Sequence, residues 1–97
     1  MEFEWDPGKN RANLAKHGIS FDEAKNIFDG PILTRPDDRA EYGENRDISL
    51  GALWPDGVLV VVHVERGETI RLISTRKANR RERKVYYDHL GQAQERD

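Results

Sequence analysis

Seven cations crowd into eighteen residues: Arg71, Arg76, Lys77, Arg80, Arg81, Arg83 and Lys84, with Glu82 the one acid between positions 70 and 87. A guanidinium fork binds two phosphate oxygens at once, and an aromatic ring among cations can stack a base, so these residue types suit RNA. On a helix opening near Asn79, Arg80, Arg83, Lys84 and Tyr87 share one face, and Glu82, Val85, Tyr86 and His89 share another. The competing explanation is a solvated basic face. Cations near a helix N-terminus oppose its dipole, however, and an anionic partner offsets that cost.

His63 is the second candidate. Alternation along Val58–Glu65 puts Val58, Val60, Val62 and Val64 toward the helices and Leu59, Val61, His63 and Glu65 on the other side. His63 is then expected on the open face of a sheet, available as a general acid or base, with a structural histidine as the alternative. Arg46 opens a strand and is expected to project toward the face of Arg71. The acidic run Asp37, Asp38, Glu41 and Glu44 has no recognised ligand spacing and reads as solvated loop charge. Lys16-His17-Gly18 reads as cations meeting the C-terminal end of a helix dipole. His17, His63 and His89 show no metal spacing with one another, and the chain has no cysteine, so no metal and no cofactor is expected. No phosphate loop, dinucleotide fingerprint or nucleophile elbow is present.

The elements that must position these residues follow from periodicity. Phe3–Trp5 is a short strand stopped by Asp6-Pro7-Gly8. Asn10–His17 is helical, with Gly18 as its stop. Ser20 and Glu23 form a capping box for a helix ending at Gly30-Pro31. Strands are predicted at Ile32–Arg35, Arg46–Trp54, Val58–Glu65 and Thr69–Thr75, with a hairpin turn at Pro55-Asp56-Gly57 and a polar loop from Pro36 to about Asn45. Val58–Glu65 is apolar on both faces and is expected at the centre. Asn79 and Glu82 make a second capping box for a helix to about Leu90. The order β-α-α-β-β-β-β-α predicts an α+β fold, an antiparallel sheet with helices packed on one face. Residues 1–90 are expected as one domain, and 91–97 as a polar C-terminal tail.

The net charge of −2 conceals an uneven distribution, because residues 1–69 are acidic overall while 70–87 are strongly basic. Such a chain meets a polyanion locally rather than coating it. The acidic start has no leader-like apolar run, and Val58–Val62 is too short to cross a membrane, so a cytoplasmic protein without a membrane partner is expected.

An ordered set of residues carries a family resemblance. Phe3-Glu4-Trp5-Asp6-Pro7, Lys9, Asn13, Lys16-His17-Gly18, Ser20-Phe21, Ala24 and Phe28 resemble the BrnT toxins. The likeness resumes at Asp37-Asp38, Glu44, Arg46 and Gly51, and is strongest at Ile70-Arg71-Leu72-Ile73-Ser74-Thr75-Arg76-Lys77-Ala78, Glu82-Arg83 and Tyr86. The departures are Gly30, Ala40 where a loop histidine is common, His63 where an aromatic is frequent, and Thr75. The resemblance implies a RelE-like fold and an endoribonuclease that arrests translation; the cationic segment without a metal-ligand set adds the expectation of a metal-independent mechanism, 2′-hydroxyl attack leaving a cyclic phosphate. It also implies neutralisation by a BrnA-like ribbon-helix-helix antitoxin, through which alone operator DNA is bound. Arg46, Arg71, Arg76 and Tyr86, which match family positions, and His63, from its place in the strand, are the expected catalytic set. Lys77, Arg80, Arg83, Lys84 and Tyr87 are the expected RNA-binding set. The rival is a non-catalytic module that binds nucleic acid or protein through residues 70–87.

Overall fold

The computed structural model describes the backbone of residues 1–95 and the side chains through Gly91. Strand β1 (Glu2–Glu4) leads into helix α1 (Pro7–His17), a single turn of α2 (Phe21–Ala24) and a 3-10 turn (Lys25–Asp29). Then come β2 (Ile32–Pro36), β3 (Asp47–Leu53), β4 (Gly57–Arg66), β5 (Thr69–Lys77) and α3 (Arg80–Glu95).

Local chemistry sets the helix ends. Asp6 caps α1 by accepting from the Lys9 N–H at 2.9 Å, with Pro7 in the first turn, so α1 starts three residues before the predicted Asn10. Gly18 closes α1 in the left-handed region at φ 73°. Ser20 and Glu23 form the predicted reciprocal cap. Asn79 and Glu82 form the other, with Asn79 Oδ1 accepting from the Glu82 N–H at 2.8 Å and Glu82 Oε1 from the Asn79 N–H at 2.9 Å. Helix α3 runs on to Glu95, past the predicted end near Leu90; Arg96 and Asp97 of the expected tail lie outside the described residues.

The five strands form one sheet in the order β1-β5-β4-β3-β2, with β4 at its centre as its two apolar faces predict. Strands β2 to β5 are antiparallel neighbours, but β1 pairs parallel with β5, Phe3 opposite Ile70. The sheet is therefore mixed, which corrects the antiparallel expectation. Three residues of alternating pattern do not encode the direction of their partner.

A second correction concerns the layers, for helices cover both faces. On one face Leu59, Val61, Ile70 and Leu72 pack against Ile19, Phe21, Ala24 and Ile27. On the other, Ile48, Leu50, Val58, Val60 and Val62 meet Ala78 and Tyr86, the latter from α3. Gly51 is required on the first face: a Cβ there would sit 2.6 Å from the Ile27 Cβ, so its absence lets the 3-10 turn lie directly on β3.

Candidate functional site

The register of β4 with β5 shifts between Val62 and His63: Val62 opposes Ser74, while His63 opposes Leu72. Ile73 is the extra residue of a β-bulge. Five residues apart on a regular strand, Arg71 and Arg76 would point to opposite faces. With the bulge between them, Arg71 opposes Val64 and Arg76 opposes Val60, so both side chains lie on the α3 face.

On that face, beside the first turn of α3, lies a cleft of about 240 Å³. Ile48, Val60 and Val62 belong to its lining, together with Ser74, Thr75, Arg35, Arg39, Arg76, Glu82 and His17. Arg35 is on β2 opposite Ile48, the position at which strand alternation turns it to the α3 face. Arg39 comes from the loop between β2 and β3. His17 arrives because β1 pairs with β5 only over Thr69–Arg71. Beyond that stretch Asn13 of α1 accepts from the Thr75 N–H at 3.1 Å, which anchors the helix along the edge of β5.

Two bidentate ion pairs order the cleft. Arg76 donates to both carboxylate oxygens of Glu82 at 2.8 and 2.9 Å, with its side chain still 40% exposed. Arg39 donates to both oxygens of Asp37 at 2.8 and 2.9 Å. The Arg76 fork holds the Glu82 carboxyl below the usual carboxylate range. Arg39 holds Asp37 down at about 2. Among the described residues, Arg35 makes no ion pair, so cationic capacity is left over inside the cleft.

The expected site residues are scattered relative to this cleft. Arg76 lines it, and Arg71 shares its face but pairs with Glu4 at 3.5 Å at the β1 edge. Arg46 lies over the Tyr42 ring, 4.1 Å from its centroid, and 3.5 Å from Glu44. His63 is 1% exposed, not on an open face: helices close that side of the sheet, and Phe28 meets its ring edge-on at 5.0 Å. Its Nε2 lies 2.7 Å from Ser49 Oγ, which lies 2.7 Å from Thr34 Oγ1, and its Nδ1 is buried without a partner. Burial pushes the His63 imidazole below its ordinary pKa, against the opposing influence of Asp47 and Glu65. Tyr86 is also 1% exposed and donates to the Pro31 carbonyl at 2.8 Å, anchoring α3 to the start of β2. Lys77, Arg80, Arg83, Lys84 and Tyr87 are exposed, the last four on the side of α3 turned away from the sheet. Arg83 bonds the Ala78 carbonyl at 2.9 Å, and Lys84 pairs with Asp88 at 2.8 Å.

Sequence reasoning missed Arg35, Arg39 and His17. Only Arg35 carried a usable signal, since the pairing of β2 with β3 decides its face.

These features define a small α+β domain with an arginine-lined cleft on one sheet face, beside the start of its C-terminal helix. The chain belongs to the BrnT family, the ribonuclease toxins of type II toxin–antitoxin systems, whose model matches residues 5–82. The match takes in every residue that lines the cleft and stops before most of α3. The crystal structure of the Brucella abortus ribonuclease toxin, BrnT, shares the fold with a TM-score of 0.60 and 23% identity, over 82% of this chain and 99% of that one. No curated protein sequence matches the chain.

Proposed function

We propose that the chain is a RelE-like endoribonuclease that arrests translation by cutting RNA in the arginine cleft. The observation that carries this is the convergence of Arg35, Arg39, Arg76 and His17 on one cavity of a ribonuclease-toxin family member. The RNA 2′-hydroxyl attacks the adjacent phosphorus, the 5′-oxygen leaves, and a 2′,3′-cyclic phosphate remains. Arg76 and Arg35 stabilise charge on the phosphorane-like transition state through their forks. Glu82 pre-orients Arg76. His17 is the cleft's imidazole and moves the proton of the attacking or leaving oxygen. No step in this scheme needs a metal ion.

Arg71, which opposes a β4 residue four positions from the one opposite Arg76 and so lies about 13 Å away at about 3.3 Å per residue, holds a neighbouring phosphate rather than the reacting one. Lys77, Arg80, Arg83, Lys84 and Tyr87 extend the track for the RNA backbone. Arg46 braces the loop between β2 and β3. His63 and Tyr86, expected from the sequence to be catalytic, are assigned to structure because no solvent reaches them.

The partner in this proposal is a BrnA-like ribbon-helix-helix antitoxin. It lays an acidic or amphipathic segment over Arg71–Lys84 and leaves its DNA-binding domain free for the operator. Among the described residues no helix is long and apolar enough to cross a membrane, and the proposed setting is the cytoplasm, where the RNA is.

The test is cleavage of RNA, free and ribosome-bound, by the purified chain in EDTA, beside growth on induction without antitoxin. Cyclic-phosphate ends and growth arrest are expected. Cleavage only with added Mg²⁺ overturns the mechanism. Binding of RNA without cleavage selects the non-catalytic module.

A further inference from the structure

The sealed face of the sheet holds a group that the cleft does not use. Asp47 and His63 face each other across β3 and β4, and Glu65 follows two residues along β4 on the same side. One carboxylate oxygen from each acid and one ring nitrogen of His63 all lie within 4.8 Å of one another. His63 is 1% exposed, and its Nδ1 is buried without a partner.

The direction of that nitrogen follows from the register. Ser49, which holds Nε2, pairs with Val61, two residues before His63. Glu65 lies two residues after it. The two nitrogens of an imidazole point in nearly opposite directions, so a ring whose Nε2 is turned to Ser49 turns Nδ1 toward Glu65. In the tautomer that donates from Nε2 to Ser49 Oγ, Nδ1 keeps its lone pair. Histidine ligands are commonly held in this way: the far N–H is tied to an oxygen, and ring angle and tautomer are set before the ion arrives.

We propose that Asp47, His63 and Glu65 form a binding site for a divalent transition-metal ion that clamps β3 to β4. Two carboxylates and one imidazole suit Zn²⁺ or Mn²⁺, and the nitrogen disfavours Mg²⁺. Tetrahedral bonds of about 2.0–2.2 Å place two ligand atoms about 3.3–3.6 Å apart, so from the 4.8 Å limit the site closes by up to about an ångström. Glu65 is exposed and free to make that movement. The site is on the face opposite the arginine cleft, so it stabilises the sheet without entering the chemistry proposed there.

The test titrates Zn²⁺ into the purified full chain by calorimetry, with ¹⁵N spectra of the histidine rings and a melting curve at each metal level. One ion per chain is expected, with the His63 Nδ1 resonance moving and Tm rising. Glu65→Gln, at an exposed position that tolerates the change, and Asp47→Asn should each weaken binding at least tenfold and abolish the rise in Tm. Mg²⁺ should produce none of these effects. The site is refuted if the wild-type chain binds no Zn²⁺, if folded Glu65→Gln and Asp47→Asn bind as wild type does, or if the resonances that move belong to His17 or His89.

Discussion

The two faces of this sheet treat their polar groups in opposite ways. Beneath α1, α2 and the 3-10 turn, Ser49 and His63 are hydrogen-bonded to each other out of reach of water, with Phe28 against the imidazole, and the line of bonds ends at the exposed Thr34. Beneath α3 the closure is incomplete, and Arg35, Arg39 and Arg76 line an open cleft with Glu82. Both arrangements come from neighbouring positions of the same strands. A polar group closed off from water must find its partner inside the protein, or it destabilises the fold. A charge beside open solvent can keep capacity for a ligand. Polarity on the sealed face is thus expected to govern stability, and on the open face, activity.

The strongest break in that contrast would come from Arg76→Ala. If Arg76 meets the reacting phosphate, cleavage should slow by roughly a hundred- to a thousandfold, about 2.7–4 kcal/mol in transition-state stabilisation. Its melting temperature should change far less, since the side chain is 40% exposed and the Glu82 cap of α3 remains. Near wild-type cleavage would remove Arg76 from the chemistry, and collapse of the melting curve would make it a structural residue.

Ser49→Ala tests the sealed face. It leaves the buried His63 Nε2 without its partner, which costs about 1–3 kcal/mol, while the exposed Thr34 hydroxyl turns to water. Denaturant unfolding should register the loss, while the cleavage rate of the protein still folded stays constant. A slower cleavage rate would show that the two faces are coupled. Tyr86→Phe is milder. It removes the 2.8 Å bond to the Pro31 carbonyl and should cost about 0.5–1.5 kcal/mol in the same measurement, with activity retained. Loss of cleavage at full stability would return Tyr86 to the catalytic set.

The smallest expected effect is one of pH. Arg39 lowers the Asp37 carboxyl from its ordinary 3.8 to about 2 in the folded chain. The unfolded chain therefore takes up this proton first as acid is added. The pair stabilises the fold above about pH 4, and that contribution is lost as pH falls toward 2. Melting temperatures between pH 5 and 2 should converge for wild type and Arg39→Ala. Parallel curves over that range would show that the pair contributes nothing.

Much of this was legible in the chain. The caps at Ser20-Glu23 and Asn79-Glu82 rest on bonds spanning three residues, so spacing alone reveals them. The central place of β4 followed from Val58–Val62 being apolar at successive positions, and the grouping of Arg80, Arg83, Lys84 and Tyr87 on one side of α3 followed from helical period, whereas the burial of Tyr86 did not. The concentration of cations in residues 70–87 was likewise visible as composition.

What the sequence determined by itself was therefore local: which stretches form strands and helices, where the capping boxes sit, and which side chains share a helix face. Those properties depend on neighbours within about one turn or one strand. The tertiary structure decided what pairing and layering control. It set β1 parallel to β5, covered both faces of the sheet, and turned His63 from an expected surface group into a core one. It put Arg71 and Arg76 on one face by a single bulge at Ile73, a shift that exists only in the register between two strands. It also drew Arg35, Arg39 and His17 from three separate elements to Arg76. No spacing within one element encodes such a meeting, because it depends on which strands are neighbours and on the one edge of β5 that α1 was able to cover.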